Sequence, residues 1–268
     1  MYGKTIKSIR KSKGISQFDL AQNIMSRSNL SNFENDHYIP AFDKVIELLN
    51  RLNVTIDEFL ALSEQADTYY QILYDELVAS ENYGSLDDLK AVNEKISSVR
   101  NLSSKHYELY LLSQYVLNTS GSKTVLTIKE IKAYIKPLLF KSEQWFKREL
   151  QLYNNFLALF DYSENQILYK KVMKKLAKQD VSTISKEYRV HLALNYGIQL
   201  INENRWESAK KVLLEGKRDA KRKNLLFQEL LIDCLVLNQT EQVDYLFNKL
   251  IDLGYQNKLT ILKRHLRQ

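Results

Sequence analysis

The residues with the clearest chemical potential lie in the run SRSNLSNFE, residues 26–34. If Ser26 caps a helix whose buried side is Leu30 and Phe33, then Arg27, Ser28, Asn29, Ser31 and Asn32 share the opposite side. Those side chains pair with base edges: Arg with guanine, Asn with adenine, Ser with either. The first turn of such a helix is the part that enters a major groove. Arg10 and Gln17 stand upstream, where they are expected to reach phosphates and so fix register rather than sequence.

A second set of side chains is rich in amides and phenols. Tyr115, Tyr153, Asn154, Asn155, Tyr188, Asn195, Gln199 and Asn202 recur among apolar residues at helical spacing. An extended peptide presents unpaired N–H and C=O groups, and an Asn or Gln side chain pairs with both at once. Tyr115, Asn154, Asn155, Tyr188, Asn195, Gln199 and Asn202 are therefore the candidate peptide-binding residues. Singly, each reads equally well as a helix-terminal or solvated amide or ring.

Other chemistries find no support. The four His (37, 106, 191 and 265) are scattered, with no HExxH pair for zinc. The seven Gly are isolated, so no phosphate loop forms, and no GxSxG occurs. A single cysteine, Cys234, excludes an internal disulfide and a cysteine metal site; it reads as a small apolar core residue. Asp57-Glu58 and Asp87-Asp88 fall at helix starts, where the macrodipole explains them. The expectation is a non-enzyme without metal or cofactor.

What must position these residues is helical. Two Pro and seven Gly in 268 residues are few chain breakers, and 44% hydrophobic residues suffice for a core. No 18-residue apolar run and no signal-peptide h-region occur, so a cytoplasmic protein is expected. The net charge of +7 suits a polyanionic partner without requiring one.

A first helix is expected over Lys4–Lys13, stopped at Gly14, with Ile6 and Ile9 inward. Ser16 caps a second, with Asp19 three residues on and Phe18, Leu20 and Ala21 on its buried side. The helix from Ser26 follows. A fourth runs from about Ala41, after Pro40, to Leu52. A fifth starts with the capping box Thr55/Glu58, backed by Ile56, Phe59 and Leu60.

Past Leu62 the apolar residues keep three- and four-residue spacing, in helices that pair every 35–40 residues or so. One of these helices is expected to run unbroken over 143–160, and the last two over 240–253 and 259–266. The segment YRVHLALNYGIQLINENRWESAKKVL shows the pairing openly: Ala193 and Gly197 on one helix should meet Trp206 and Ala209 on the next. Stacked pairs would form a right-handed superhelix; a plain helical bundle is the alternative.

The residues SQFDLA, SRSNLSNFE and LNVTIDEF resemble the XRE/Cro-like, or lambda-repressor-like, helix-turn-helix. With the later run KSEQWFKRELQLYNNF, they are similar to the Rgg/GadR/MutR transcriptional regulators. The resemblance implies an all-α chain: a five-helix DNA-binding domain at 1–64, then a TPR-like repeat domain at 65–268. It implies a recognition helix at Ser26–Phe33, a homodimer on double-stranded palindromic DNA, and a short signalling peptide held in the repeat domain. Some relatives carry a cysteine at the start of the fourth helix; Ala41 stands here, so no covalent dimer is expected. The apolar C-terminal helices, LLFQELLIDCLVL at residues 225–237 and those after it, are the candidate dimer face. A constitutive DNA-binding regulator whose repeats hold a protein or small molecule is the other reading.

Overall fold

The computed structural model describes residues 2–63, 66–178, 183–237 and 248–254. Among them the chain is helical without strands. It divides into two compact units, residues 1–75 and 76–268, so the division falls inside the sixth helix rather than before it.

The first unit holds α1 (Tyr2–Ser12), α2 (Gln17–Ala21), α3 (Arg27–Glu34), α4 (Phe42–Leu52), α5 (Ile56–Ser63) and the start of α6 (Ala66–Tyr83). Local chemistry sets the ends. Gly14 turns the chain out of α1 at φ +68°, a conformation open to residues without Cβ. Ser16 and Ser26 accept from the backbone N–H of Asp19 and Asn29, each satisfying an otherwise orphaned donor. At α5, Glu58 accepts from the Thr55 N–H at 2.8 Å, closing the capping box. Ile6, Ile9, Leu20, Leu30, Phe33, Leu48, Leu49, Leu52 and Phe59 form one buried cluster.

One expectation fails here. Phe18 is 65% exposed. Helix α2 has only five residues, and Leu20 and Ala21 alone fill its buried side. A second feature escapes sequence reading. A Cβ on Gly3 would stand 1.7 Å from the Phe33 carbonyl oxygen, so α1 crosses the end of α3 with no room for any other residue there.

The second unit continues with α7 (Leu86–Val99), α8 (Ser104–Thr119), α9 (Ile128–Lys141), α10 (Lys147–Phe156), α11 (Tyr162–Lys178), α12 (Thr183–Asn202), α13 (Trp206–Arg222) and α14 (Leu226–Leu237). Helix α7 packs on α8, α8 on α9, α9 on α10, α11 on α12, α12 on α13 and α13 on α14, while α8 meets α10, α10 meets α12 and α12 meets α14. Two layers result, one of them α8, α10, α12 and α14.

The expected continuous helix over 143–160 is broken. Residues 142–146 are irregular, with Trp145 1% exposed and its ring 6.0 Å from Tyr153. Helix α10 begins only at Lys147, and a 3-10 turn at Leu157–Leu159 follows it. The α12–α13 pairing holds, through smaller contacts than expected. Ala209 is buried, but Trp206 stays 37% exposed. Gly197 faces Leu213 and Gly216 faces Ala193.

The run at 225–237 is not an open apolar face. Leu230, Leu231, Ile232, Cys234 and Leu235 are buried in a cluster with Val190, Leu194 and Leu213 of the same chain. The expectation of a dimer face on those residues is corrected. The Cys234 thiol is pushed up to about 11, first by burial and then by Asp233, which leaves it protonated and unreactive. The expected helix at 259–266 and most of the one at 240–253 lie outside the described residues.

Candidate DNA-reading edge and amide-lined layer

Helix α3 is held from below and left open above. Leu30 and Phe33 anchor it in the core, and Glu34 is fully buried at its end. Arg10 reaches Glu34 with two hydrogen bonds, Nε to Oε1 at 2.6 Å and Nη2 to Oε2 at 2.8 Å. Its Nη1 donates to the Ile15 carbonyl at 2.9 Å, and Gln17 Nε2 donates to Glu34 Oε2 at 2.8 Å. Burial by itself would raise the Glu34 carboxyl. The bonds from Arg10 and Gln17, with the charges of Arg10 and Lys7, outweigh it and hold the carboxyl below its ordinary value.

This corrects the role expected for Arg10. Arg10 is 8% exposed and its guanidinium is committed to Glu34 and Ile15, so it orients α1 and α3 instead of reaching a phosphate. Gln17 is half-buried, with one amide hydrogen spent on Glu34; its second N–H is the part left for a phosphate. Lys7 donates to Asn35 at 2.8 Å and Lys4 pairs with Asp36 at 3.4 Å. Arg51 donates to the Asp19, Leu20 and Gln22 carbonyls, satisfying the C-terminal end of α2.

On the outer side Arg27, Ser28, Asn29 and Asn32 are exposed, and Ser31 is half-buried. No hydrogen bond or ion pair among the described residues engages the side chains of Arg27, Asn29 or Asn32. Three side chains suited to base edges thus project from the first two turns of a rigidly seated helix.

In the second unit the amides divide into two groups. Asn165, fully buried at the start of α11, accepts from the Tyr153 hydroxyl at 3.1 Å. Its Nδ2 stands 2.9 Å from the Leu157 carbonyl and 2.6 Å from Gln199 Oε1. Gln199 in turn donates to the Phe160 carbonyl at 2.8 Å and to Glu203 at 3.0 Å. Both its ends are occupied, and it ties the turn after α10 to α12. The role expected for Gln199 is therefore corrected from ligand contact to structural tie. Asn165, which sequence reasoning does not single out, is the centre of this network; nothing local distinguishes it from other helix-start Asn residues.

The amides of Asn154, Asn155 and Asn195 keep groups available. Asn195 Nδ2 donates to Asn154 Oδ1 at 3.0 Å, linking α12 to α10. The pair keeps the Asn154 NH2 group as donor and the Asn195 amide oxygen as acceptor. Asn155 is half-buried, and no hydrogen bond among the described residues engages its side chain. The half-buried Tyr115 ring lies 5.8 Å from Phe156, and its hydroxyl is raised by burial and by the charge of Glu81. Tyr188 is half-buried, and Asn202 is exposed at the end of α12. His191, one turn before Asn195, escapes sequence reasoning as well. Burial holds its ring below the ordinary value, with Glu187 opposing.

Among the described residues no cluster of His, Cys, Asp and Glu could hold a metal ion. No described helix is long and apolar enough to cross a membrane.

Comparison with known proteins gives the context. No curated protein matches the chain. Several solved structures share its fold. A transcriptional regulator from Listeria monocytogenes EGD-e, described as putative, superposes with a TM-score of 0.77 at 21% identity, covering 99% of this chain and 97% of that one. The SHP pheromone receptor Rgg2 of Streptococcus dysgalactiae gives 0.71 at 18% identity, over 98% and 100%. PlcR of Bacillus thuringiensis, solved with the peptide PapR7 and DNA, gives 0.66 at 17% identity, over 99% and 98%. Residues 6–59 match the helix-turn-helix family. Residues 89–230, more than half of the chain, match the C-terminal domain of the HTH-type transcriptional regulator Rgg, and the chain belongs to the Rgg family of transcriptional regulators.

Proposed function

We propose that the chain is a cytoplasmic, dimeric regulator that reads a palindromic operator through α3 and is controlled by a short peptide seated on the α8–α10–α12 layer. The observation that carries the DNA half is the exposed, unengaged trio Arg27, Asn29 and Asn32 on a helix locked by Arg10 and Glu34. A dimer follows from physics, because one helix reads only a few base pairs and two copies a helical turn apart read enough. The peptide half rests on the donor and acceptor left by the Asn154–Asn195 pair, with Asn155 and Tyr115 as neighbours on α10 and α8. Spaced amides of this kind complement an extended backbone, and the ring at Tyr115 offers apolar contact. The solved PlcR complex, which holds both a peptide and DNA, supports the pairing of the two activities.

The test has two arms. After an operator is selected from randomised duplex, Arg27→Ala and Asn29→Ala should each weaken specific binding by about 1–3 kcal/mol while sparing non-specific binding. Unchanged discrimination in both variants removes α3 as the reader. Synthetic peptides from small reading frames beside the gene are then titrated calorimetrically. Asn155→Ala and Asn195→Ala should abolish the heat of binding and leave DNA affinity intact. If no such peptide binds the wild-type chain, the peptide reading fails and a constitutive regulator stands.

A further inference from the structure

The positive charge of this protein does not sit with its helix-turn-helix. Residues 1–75 carry eight Lys and Arg against ten acids, whereas residues 76–268 carry 31 against 22. Within the second unit the excess falls on alternate helices. Helix α9 has four lysines and one acid, α11 five lysines and one acid, and α13 six Lys and Arg against three acids. The other layer is nearly neutral: one cation and one acid in α8, and no cation with two acids in α14.

These three helices are joined. Lys132 and Lys136 of α9 both pair with Glu164 of α11, at 2.5 and 2.8 Å. The Arg205 guanidinium, at the start of α13, lies 3.7 Å over the Tyr162 ring of α11. Most of the remaining cations have no such use. Lys170, Lys174 and Lys178 on α11, and Lys210, Lys211 and Arg218 on α13, are exposed. Among the described residues none of the six makes an ion pair or a hydrogen bond. Lys170, Lys174 and Lys178 follow one another at a spacing of four, where like charges destabilise a helix. A surface that concentrates repulsion in one layer, while the adjacent layer is neutral, is built for an external counter-charge.

The type of cation identifies the partner. Lysine is depleted in protein–protein interfaces. As a flexible, strongly hydrated point charge, it suits a lattice of phosphates that demands no fixed geometry. The first unit already brings the chain to duplex DNA. We propose that the α9–α11–α13 layer is a second, sequence-independent contact surface for duplex DNA, binding phosphates apart from the bases read by α3.

The full chain is titrated with a random-sequence duplex of about 60 base pairs by fluorescence anisotropy over a range of salt concentrations. In the variant Lys170→Gln/Lys174→Gln/Lys210→Gln/Lys211→Gln/Arg218→Gln, the slope of log affinity against log salt should shrink by about 0.9 for each phosphate that is no longer neutralised. Affinity near 0.1 M salt should fall at least about tenfold. An unchanged slope and affinity overturns the proposal. A second measurement needs no variant: lysine acetylation of the wild-type chain, read by mass spectrometry with and without the same duplex. Protection of Lys170, Lys174, Lys210 and Lys211 by DNA is the expected result. Equal labelling, or protection by polyglutamate but not by DNA, overturns it, the latter in favour of an acidic protein partner.

Discussion

Arg10 and Glu34 meet across α1 and α3 as a two-pronged ion pair at 2.6 and 2.8 Å, with Glu34 fully buried. The pair sits directly beneath the helix that carries the reading edge. Its value therefore lies in fixing where Arg27 and Asn29 project as much as in stability.

Removing one partner should be costly, because it strands a buried charge. Arg10→Met is expected to destabilise the first unit by about 3–5 kcal/mol, and Arg10→Met/Glu34→Leu by much less. Urea unfolding followed by circular dichroism measures both. The pH dependence has a definite sign. Glu34 is held below its ordinary 4.5, so its contribution is fully present above that value and lost as pH falls through the lowered one. Equal destabilisation in the single and double variants would show that the pair contributes nothing beyond packing.

Helices α12 and α13 approach closely because Gly216 lets them. A Cβ at position 216 would lie 2.7 Å from the Ala193 Cβ. Gly216→Ala gains up to about 1 kcal/mol in helix propensity but incurs about 1–3 kcal/mol of overpacking. The expected net effect is a loss of about 1–2 kcal/mol, recovered in part by adding Ala193→Gly. A raised urea midpoint for Gly216→Ala would contradict the close approach.

The contrast between what was and was not legible is physical. Caps at Ser16, Ser26 and Thr55 involve partners three residues away, so sequence alone places the ends of α2, α3 and α5. Base-reading residue types on one side of α3 follow from the same short periodicity. The contacts that decide availability are long-range. Arg10 finds Glu34 across 24 residues, and Asn195 finds Asn154 across 41. No local pattern says that Arg10 is spent and Asn29 is not. The break before α10 was hidden because its apolar spacing continues through residues 142–146, where Trp145 turns into the core.

His191 gives the second unit a pH response close to neutrality. Its ring is held below the ordinary 6.5, chiefly by burial. The unfolded chain therefore takes up a proton before the folded one does. Stability is full above about pH 6.5 and declines as pH falls through that value toward the lowered one. His191→Asn should flatten this part of the profile. The check is the difference in thermal midpoint between pH 7.5 and pH 5.5, roughly the span of histidine titration, in wild type and variant. Parallel profiles would show that His191 is not the group responsible.

Asn165 and Asn195 separate structure from ligand contact within the amide-rich region. Asn165 is fully buried, and its removal strands the Tyr153 hydroxyl and Gln199 Oε1, while the Leu157 and Phe160 carbonyls keep the Phe160 N–H and Gln199 as donors. Each stranded group costs about 1–3 kcal/mol, so Asn165→Leu should lower stability by at least about 2 kcal/mol. Gln199→Ala should lower it less, because Asn165 still holds the Phe160 carbonyl at 3.1 Å. Asn195→Ala removes one partly buried amide contact, at an expected stability cost of about 1 kcal/mol. Urea unfolding of the three variants ranks them. If Asn195→Ala is the most damaging, the Asn154–Asn195 pair is part of the scaffold, and the donor and acceptor it leaves open lose their claim to be a binding edge.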